Sequence, residues 1–301
     1  MTPDLLIVGA GPCGVSAALW ARSLGLRPLV VERGARAGGQ LQLVHFVPAN
    51  VAGADHVPGT ALAERLAVQL TENEIEVRFG AEIASLESSA PAIRVASGER
   101  LEAGAVLIAT GVRRRHLEVP GEVELEGRGV SYSATQDRAR FAGEDVAVIG
   151  GGDAAFENAL LLSAVDCHVM LIVRAAPRAR REFRERVAAD PRIEVLDHTQ
   201  VLAIEGDHAL QNLRLENERG RFQLPISGMV IKVGVMPNSE WCAGGVERDP
   251  DGWVLVDESF ATSHPRVWAA GDVIRPPLLG VSVAAGQGAL AAGAIRSTLR
   301  S

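Results

Sequence analysis

Cysteine is scarce and never paired. The three in 301 residues, Cys13, Cys167 and Cys242, lie far apart, with no CxxC and no Cys/His grouping at metal-ligand spacing. No structural disulfide and no metal site is expected. Lysine is scarcer: Lys232 is the only one and every other cation is arginine, a skew that takes weight from any single arginine read as functional. Positive charge is in deficit, net -7, which argues against general nucleic-acid binding, since that needs clustered cations to neutralise phosphates. No run is long and apolar enough to cross a bilayer. The apolar start, Met1 to Gly14, has no basic leader and is broken early by glycine. It is expected to be a first strand and not a signal peptide or a span, in a cytoplasmic protein without a membrane partner.

Apolar residues, 47% of the chain, are enough for a sizeable core and for two domains. Two stretches carry the chemistry. Val146 to Ala159 runs from VAVIG through Gly150, Gly151 and Gly152 into a helical pattern opened by Asp153. A strand that turns sharply into a helix leaves the first backbone N–H groups unpaired and the positive dipole end exposed, which suits a pyrophosphate. Gly150 would make the turn, Gly152 would let phosphate approach the backbone, and Ala155 would let helix pack closely on strand. Asp4 to Gly14, DLLIVGAGPCG, repeats the pattern with Gly9, Gly11 and Gly14 before a helix expected over Val15 to Leu24. The strand Pro28 to Glu32 follows, ending in a carboxylate at the distance where it can accept ribose hydroxyls.

Between these lie Gly38, Gly39 and Gln40, bare backbone and one amide able to hydrogen-bond a flat polar ring. An aperiodic loop with His45, Asn50 and His56 runs to Gly59, and Thr60 is expected to cap a helix to about Asn73. His45 is the one histidine worth watching, although plain surface or core placement is its better reading. Runs from Ile75 onward read as small antiparallel strands feeding a parallel strand, Ala105 to Ala109, closed by Thr110 and Gly111. Val112 to Pro120 suits a crossover. A second domain then holds strands at Val146 to Gly150 and His168 to Val173, and an arginine-rich helix near Ala179 to Ala189. At the end of its second strand stand Arg174, Arg178 and Arg180 where the first domain has Glu32. Arginines there can grip a 2′-phosphate that a carboxylate would repel, so NADPH is preferred over NADH. The plainer reading, a solvated helix face with Glu182 and Glu185, stays open. The chain then returns through Pro237 and Asn238 to a buried strand, Val267 to Ala270, with Gly271, Asp272 and a last helix opened by Gly280 to Val283. Asp272 can bond a ribitol hydroxyl, and that helix's positive end suits the pyrimidine edge of a reduced flavin.

Taken in order, GAGPCG, ERG with GGQL, ATG, GRGVSY, VIGGGDAAFENAL, PN and WAAGD make the chain resemble the low-molecular-weight thioredoxin reductases over nearly all its length. The resemblance implies an α/β fold of two Rossmann-like, three-layer ββα dinucleotide-binding domains. An NAD(P)H domain, 113–243, would be inserted in a discontinuous FAD domain, 1–112 and 244–301, and the protein would be a homodimer. It implies FAD contacts from Gly9, Gly11, Gly14, Glu32, Arg33, Gly39, Gln40, Asn50, Ile83, Thr110, Gly111, Gly271, Asp272 and Val281. NADPH contacts would come from Gly150, Gly152, Asp153, Ala155, Arg174, Arg178 and Arg180. The family's His-Arg-Arg run here reads Val173, Arg174, Ala175.

The sharpest departure follows GRGVSY, where the family's two redox cysteines are replaced by Ser133 and Gln136. Dithiol exchange needs a thiolate nucleophile and a resolving thiol. The expectation is therefore an FAD-dependent NAD(P)H oxidoreductase that passes electrons directly from reduced flavin to an external acceptor. Candidate acceptors are ferredoxin or flavodoxin, a low-molecular-weight disulfide, a quinone or oxygen. The passage around VIGGGDAA also looks like the ferredoxin-NADP reductases of this fold, although the chain closes at Ser301 without the extension those enzymes place over the flavin. A flavin- or nucleotide-binding regulatory dimer without catalysis is the alternative from another class. Asp137 holds the place of the family's acid and is expected to be a structural or capping carboxylate in preference to an acid for another acceptor. Tyr132 reads equally as a flavin neighbour or a packed ring. Cys13 is expected to pack beside the pyrophosphate, Cys167 and Cys242 to be ordinary buried thiols, and Trp241, Trp253 and Trp268 to be core or interface residues.

Overall fold

Leu5–Val8 is buried at all four positions, so this strand is covered on both faces, as a parallel strand inside a layered domain must be. The computed structural model describes residues 2–48, 50–54 and 56–300; Met1 and Ser301, the ends of the readings above, lie outside them. The strand pairs in parallel with Pro28–Glu32 on one side and Ala105–Ile108 on the other. Glu76–Phe79 and Val267–Ala269 extend the sheet to five strands. The two-residue period of a strand then sorts the side chains. Leu5, Ile7, Val30 and Leu107 face the helices Pro12–Ser23 and Val281–Arg300. Leu6, Val8, Val31 and Ile108 face a three-stranded antiparallel sheet, Ile83–Leu86, Ala92–Val95 and Arg100–Glu102.

The two helices pack through their smallest residues. A Cβ on Gly288 would lie 2.2 Å from the carbonyl oxygen of Cys13, so only glycine permits this approach.

The chain leaves this unit after Arg113 and returns at Met236. The intervening unit repeats the plan. Its parallel sheet runs in the order Ile193–Leu196, His168–Ile172, Asp145–Ile149, Gly228–Ile231, Val130–Ser131. Val146, Val148, Val169 and Leu171 face the helices, and Ala147, Ile149, Met229 and Ile231 face the antiparallel strands Gln200–Glu205, Asn212–Asn217 and Gly220–Pro225. Both units are thus three-layer ββα dinucleotide-binding domains, the second inserted in the first.

Local expectations shift in four places. The first helix begins at Pro12, where a missing N–H costs nothing at N1, and not at Val15. Thr60 lies inside its helix, Gly59–Glu72, which has no side-chain cap. The run at Glu76–Phe79 is a parallel edge strand of the main sheet and not part of the antiparallel set. Residues 236–243, expected in the inserted domain, belong to the first unit. Thr110 Oγ1 donates to Asn238 O at 2.6 Å, Asn238 Nδ2 donates to Thr110 O at 2.9 Å, and Cys242 is buried beside Val8 and Val267.

Candidate dinucleotide sites

The first glycine turn is shaped by contacts that leave no room for side chains. Gly9 has φ 107°, and a Cβ there would fall 2.5 Å from Ala109 O; one on Gly14 would fall 1.9 Å from Gly9 O. Helix and strand therefore meet at backbone distance. The Glu32 carboxylate is pinned beside them, with Ala10 N donating to Oε2 and Gly34 N to Oε1, each at 2.8 Å. Its remaining lone pairs open on a cavity of about 470 Å³, which Gly9, Glu32, Arg33, Ile83, Thr110 and Trp241 help to line.

Farther along the same unit, Gly271 has φ 81° and its N–H donates to Gln287 Oε1 at 2.9 Å. Next to it, Asp272 Oδ1 is buried with no partner among the described residues. Desolvation raises the Asp272 carboxyl above the ordinary range, opposed by a hydrogen bond from the Gly280 backbone. A buried acceptor without a donor is costly, and a ligand hydroxyl would satisfy it. The last helix starts at Val281, placing its positive end beside this loop. Gln40 Nε2 donates to Val112 O at 2.9 Å, and a Cβ on Gly39 would lie 3.0 Å from Gly11 Cα. Gly111 has φ 61° and accepts Asn238 N through its carbonyl. These observations fit a dinucleotide with a hydroxylated chain. Asn50 is exposed and its carbonyl accepts from Ser282 Oγ at 3.4 Å, next to Val281. His45 is exposed as well.

In the second unit Gly150 has φ 145°, and a Cβ there would fall 2.2 Å from Lys232 O and 3.1 Å from the Ala155 methyl. Gly152 has nothing within 4 Å of its Cβ position, which leaves its face open to an approaching ligand. The Arg178 and Ala179 N–H groups both donate to Gly151 O, at 2.7 and 3.0 Å, folding that loop over the turn. Asp153 accepts from Arg180 N at 2.7 Å and from its Nε at 2.6 Å, and these bonds from Arg180 hold its carboxyl below the usual range. Arg180 is thereby fixed at the helix N-terminus. Arg174 is exposed and lines a hollow of about 340 Å³ together with Glu216 and Glu218. The arginine at the end of the second strand thus shares its surroundings with two carboxylates.

The segment after GRGVSY is a closed helix cap. Ser133 Oγ accepts Gln136 N at 3.4 Å at the head of Ala134–Phe141, and Ser131 Oγ donates to Asp137 Oδ2 at 2.5 Å while accepting Ser133 N. The Ser-x-x-Gln spacing is the sequence signal of such a cap. Asp137 is tied into this cap through Ser131 Oγ. Tyr132 is a packed ring: its hydroxyl donates to the buried Glu122 at 2.8 Å and lies 2.9 Å from His116 Nδ1. Trp253 and Trp268 are buried. All three thiols are free and buried. Burial pushes the Cys13 thiol well up and Cys242 up to about 11, so neither is a ready thiolate. Gln287 and Glu122 escaped the sequence reading, and Asn238 reads there only as a turn, because their partners are remote in the chain or lie in a loop without period. No helix among the described residues is long and apolar enough to cross a membrane.

The model of the pyridine nucleotide-disulphide oxidoreductase family matches residues 3–293. The chain belongs to that family. Among relatives in the family, the thioredoxin reductase of Streptomyces coelicolor is 35% identical over 300 residues, covering 96% of this chain and 91% of that protein. The NADH dehydrogenase of Bacillus subtilis is 33% identical over 294 residues, covering 96% of this chain and 57% of that one. The solved thioredoxin reductase of Lactococcus lactis superposes with a TM-score of 0.83 at 29% identity, over 99% of both chains. The family's two dinucleotide-binding domains are both present.

Proposed function

We propose that this protein is an FAD-dependent NAD(P)H oxidoreductase that delivers electrons from reduced flavin directly to an external acceptor. The observation that carries the reading is that a hydrogen-bonded cap, Ser133 with Gln136, stands where the redox pair of thioredoxin reductases is expected, while both glycine turns keep their cradles. FAD, when bound, supplies a two-electron carrier between a reduced nicotinamide and an acceptor. Gly9, Gly11 and Gly14 seat its pyrophosphate, Glu32 and Arg33 its adenosine ribose, and Ile83 and Thr110 wall that pocket. Asp272 accepts a ribitol hydroxyl beside Gly271, and Gly39, Gln40, Gly111 and Val281 complete the seat. Gly150, Gly152, Asp153 and Ala155 seat the nicotinamide coenzyme, with Arg174, Arg178 and Arg180 on its adenosine side, NADPH being preferred.

Serine and glutamine form no disulfide, and the three cysteines are buried singly, so thiol exchange has no nucleophile here. Ferredoxin, flavodoxin, a small disulfide, a quinone or oxygen would take the electrons. One relative's name, NADH dehydrogenase, makes NADH the parallel coenzyme to run. The protein would act as a cytoplasmic homodimer.

Anaerobic mixing with NADPH tests this reading: prompt bleaching of the flavin is expected, with no thioredoxin reduction and with turnover once an acceptor is added. Oxidised flavin that persists for minutes would instead favour a non-catalytic regulator.

A further inference from the structure

Lys232 is the chain's only lysine, and it stands at the carboxyl edge of the second unit's sheet. Its backbone N–H donates to Ile149 O at 2.7 Å, and its carbonyl lies against Gly150, so the residue adjoins the glycine turn itself. Its ammonium reaches the neighbouring strand end, where Nζ donates to Tyr132 O at 2.5 Å, one residue before Ser133. An ammonium has three donors, and this is its one hydrogen bond among the described residues. The charged groups facing it are Arg114, which opposes its charge, and Glu157 on the helix Asp153–Ser163, which favours it. Carboxyl ends of parallel strands are where open α/β sheets bind ligands, and this half-buried cation is bonded to a neutral carbonyl, with Arg114 opposing its charge more than Glu157 favours it.

Resting on the reading of this unit as the coenzyme seat, we propose that Lys232 binds the pyrophosphate of the nicotinamide dinucleotide from the strand side, while the Gly150–Gly152 turn holds it from the helix side. Burial, with Arg114 adding, lowers the Lys232 ammonium to about 8. A bound pyrophosphate would raise it again. The interaction is then complete below pH 8 and is lost as pH rises through the higher, bound-state value.

The test is calorimetric titration of the flavin-loaded protein with NADP+ between pH 6.5 and 9.5, run on the unaltered protein, Lys232→Met and Lys232→Arg, each checked for an unchanged melting temperature. The unaltered protein should bind progressively more weakly above pH 8, by at most about tenfold per pH unit, and should take up part of a proton on binding at pH 8.5. Lys232→Arg should bind without that slope and without proton uptake. Lys232→Met should bind weakly at every pH, and Lys232→Arg remains decisive should the Met variant fold poorly. Coenzyme binding with the same slope and proton uptake in Lys232→Arg, or full affinity in Lys232→Met, would overturn this assignment alone. No coenzyme binding by the unaltered protein at any pH would overturn it together with the coenzyme reading.

Discussion

Ala10 N–H donates to the Glu32 carboxylate at 2.8 Å, across 22 positions of sequence, so the glycine turn and the end of the second strand are one rigid piece. Glu32→Ala removes this bond and the one from Gly34, together with the acceptor offered to a ribose. A hydrogen bond to a charged group contributes about 1.5–3 kcal/mol, so flavin affinity should fall by roughly tenfold to a hundredfold. Fluorescence of flavin released on dilution measures it.

Asp272 has no donor for Oδ1 among the described residues and a carboxyl raised by burial. A raised folded value means that ionisation opposes folding, so the flavin-free protein should lose stability as pH climbs through the carboxylate range. Asp272→Asn should flatten that dependence and raise the melting temperature of the flavin-free form at pH 7. The same change should weaken flavin retention. Melting curves against pH, with and without FAD, separate the two effects.

Ser133 and Gln136 occupy N-cap and third position of a helix, where a thiol's pKa is lowered by the dipole. The double change Ser133→Cys with Gln136→Cys should form a disulfide that NADPH reduces, and should create thioredoxin-linked turnover above that of the unaltered protein. Thiol counting before and after anaerobic NADPH reports the first. A coupled thioredoxin assay reports the second.

Arg174 shares a hollow with Glu216 and Glu218. Arg174→Ala should reduce the ratio of NADPH to NADH efficiency by about tenfold, the scale of one charge-assisted contact to phosphate. Glu218→Gln should move the ratio the other way. Steady-state kcat/KM for both coenzymes checks each direction, and equal ratios in all three proteins would remove the phosphate argument.

A Cβ added at Gly288 meets Cys13 O at 2.2 Å. Gly288→Ala should therefore destabilise the first unit by about 1–3 kcal/mol as the helices are forced apart, read as a lower urea midpoint.

Much of this was legible from local spacing. The glycine turns could be read because strand, turn and helix are contiguous, and Glu32 because the second strand has a fixed length. The Thr110–Asn238 clamp was not, since an amide meeting a carbonyl 128 positions away leaves no spacing to read. Asn50, in an aperiodic loop, is reachable from the sequence only by resemblance; what holds it is Ser282, 232 positions away. Glu76–Phe79 reads in the sequence as part of an antiparallel set because a short alternating run carries no direction; pairing with Leu29–Glu32 decides it. Lys232 stood out only as a compositional oddity until the edge it occupies was known.

The interruption of the first unit has a cost during synthesis. Residues 114–235 are contiguous, so the inserted unit has all its strands before the rest of the chain emerges from the ribosome. The other unit must wait for Val267–Ala269 to cover its sheet edge at Ala105–Ile108, and for Val281–Arg300 to cover Pro12–Ser23. Until then a nascent chain carries an unprotected edge and an uncovered apolar helix face, the two features a chaperone grips.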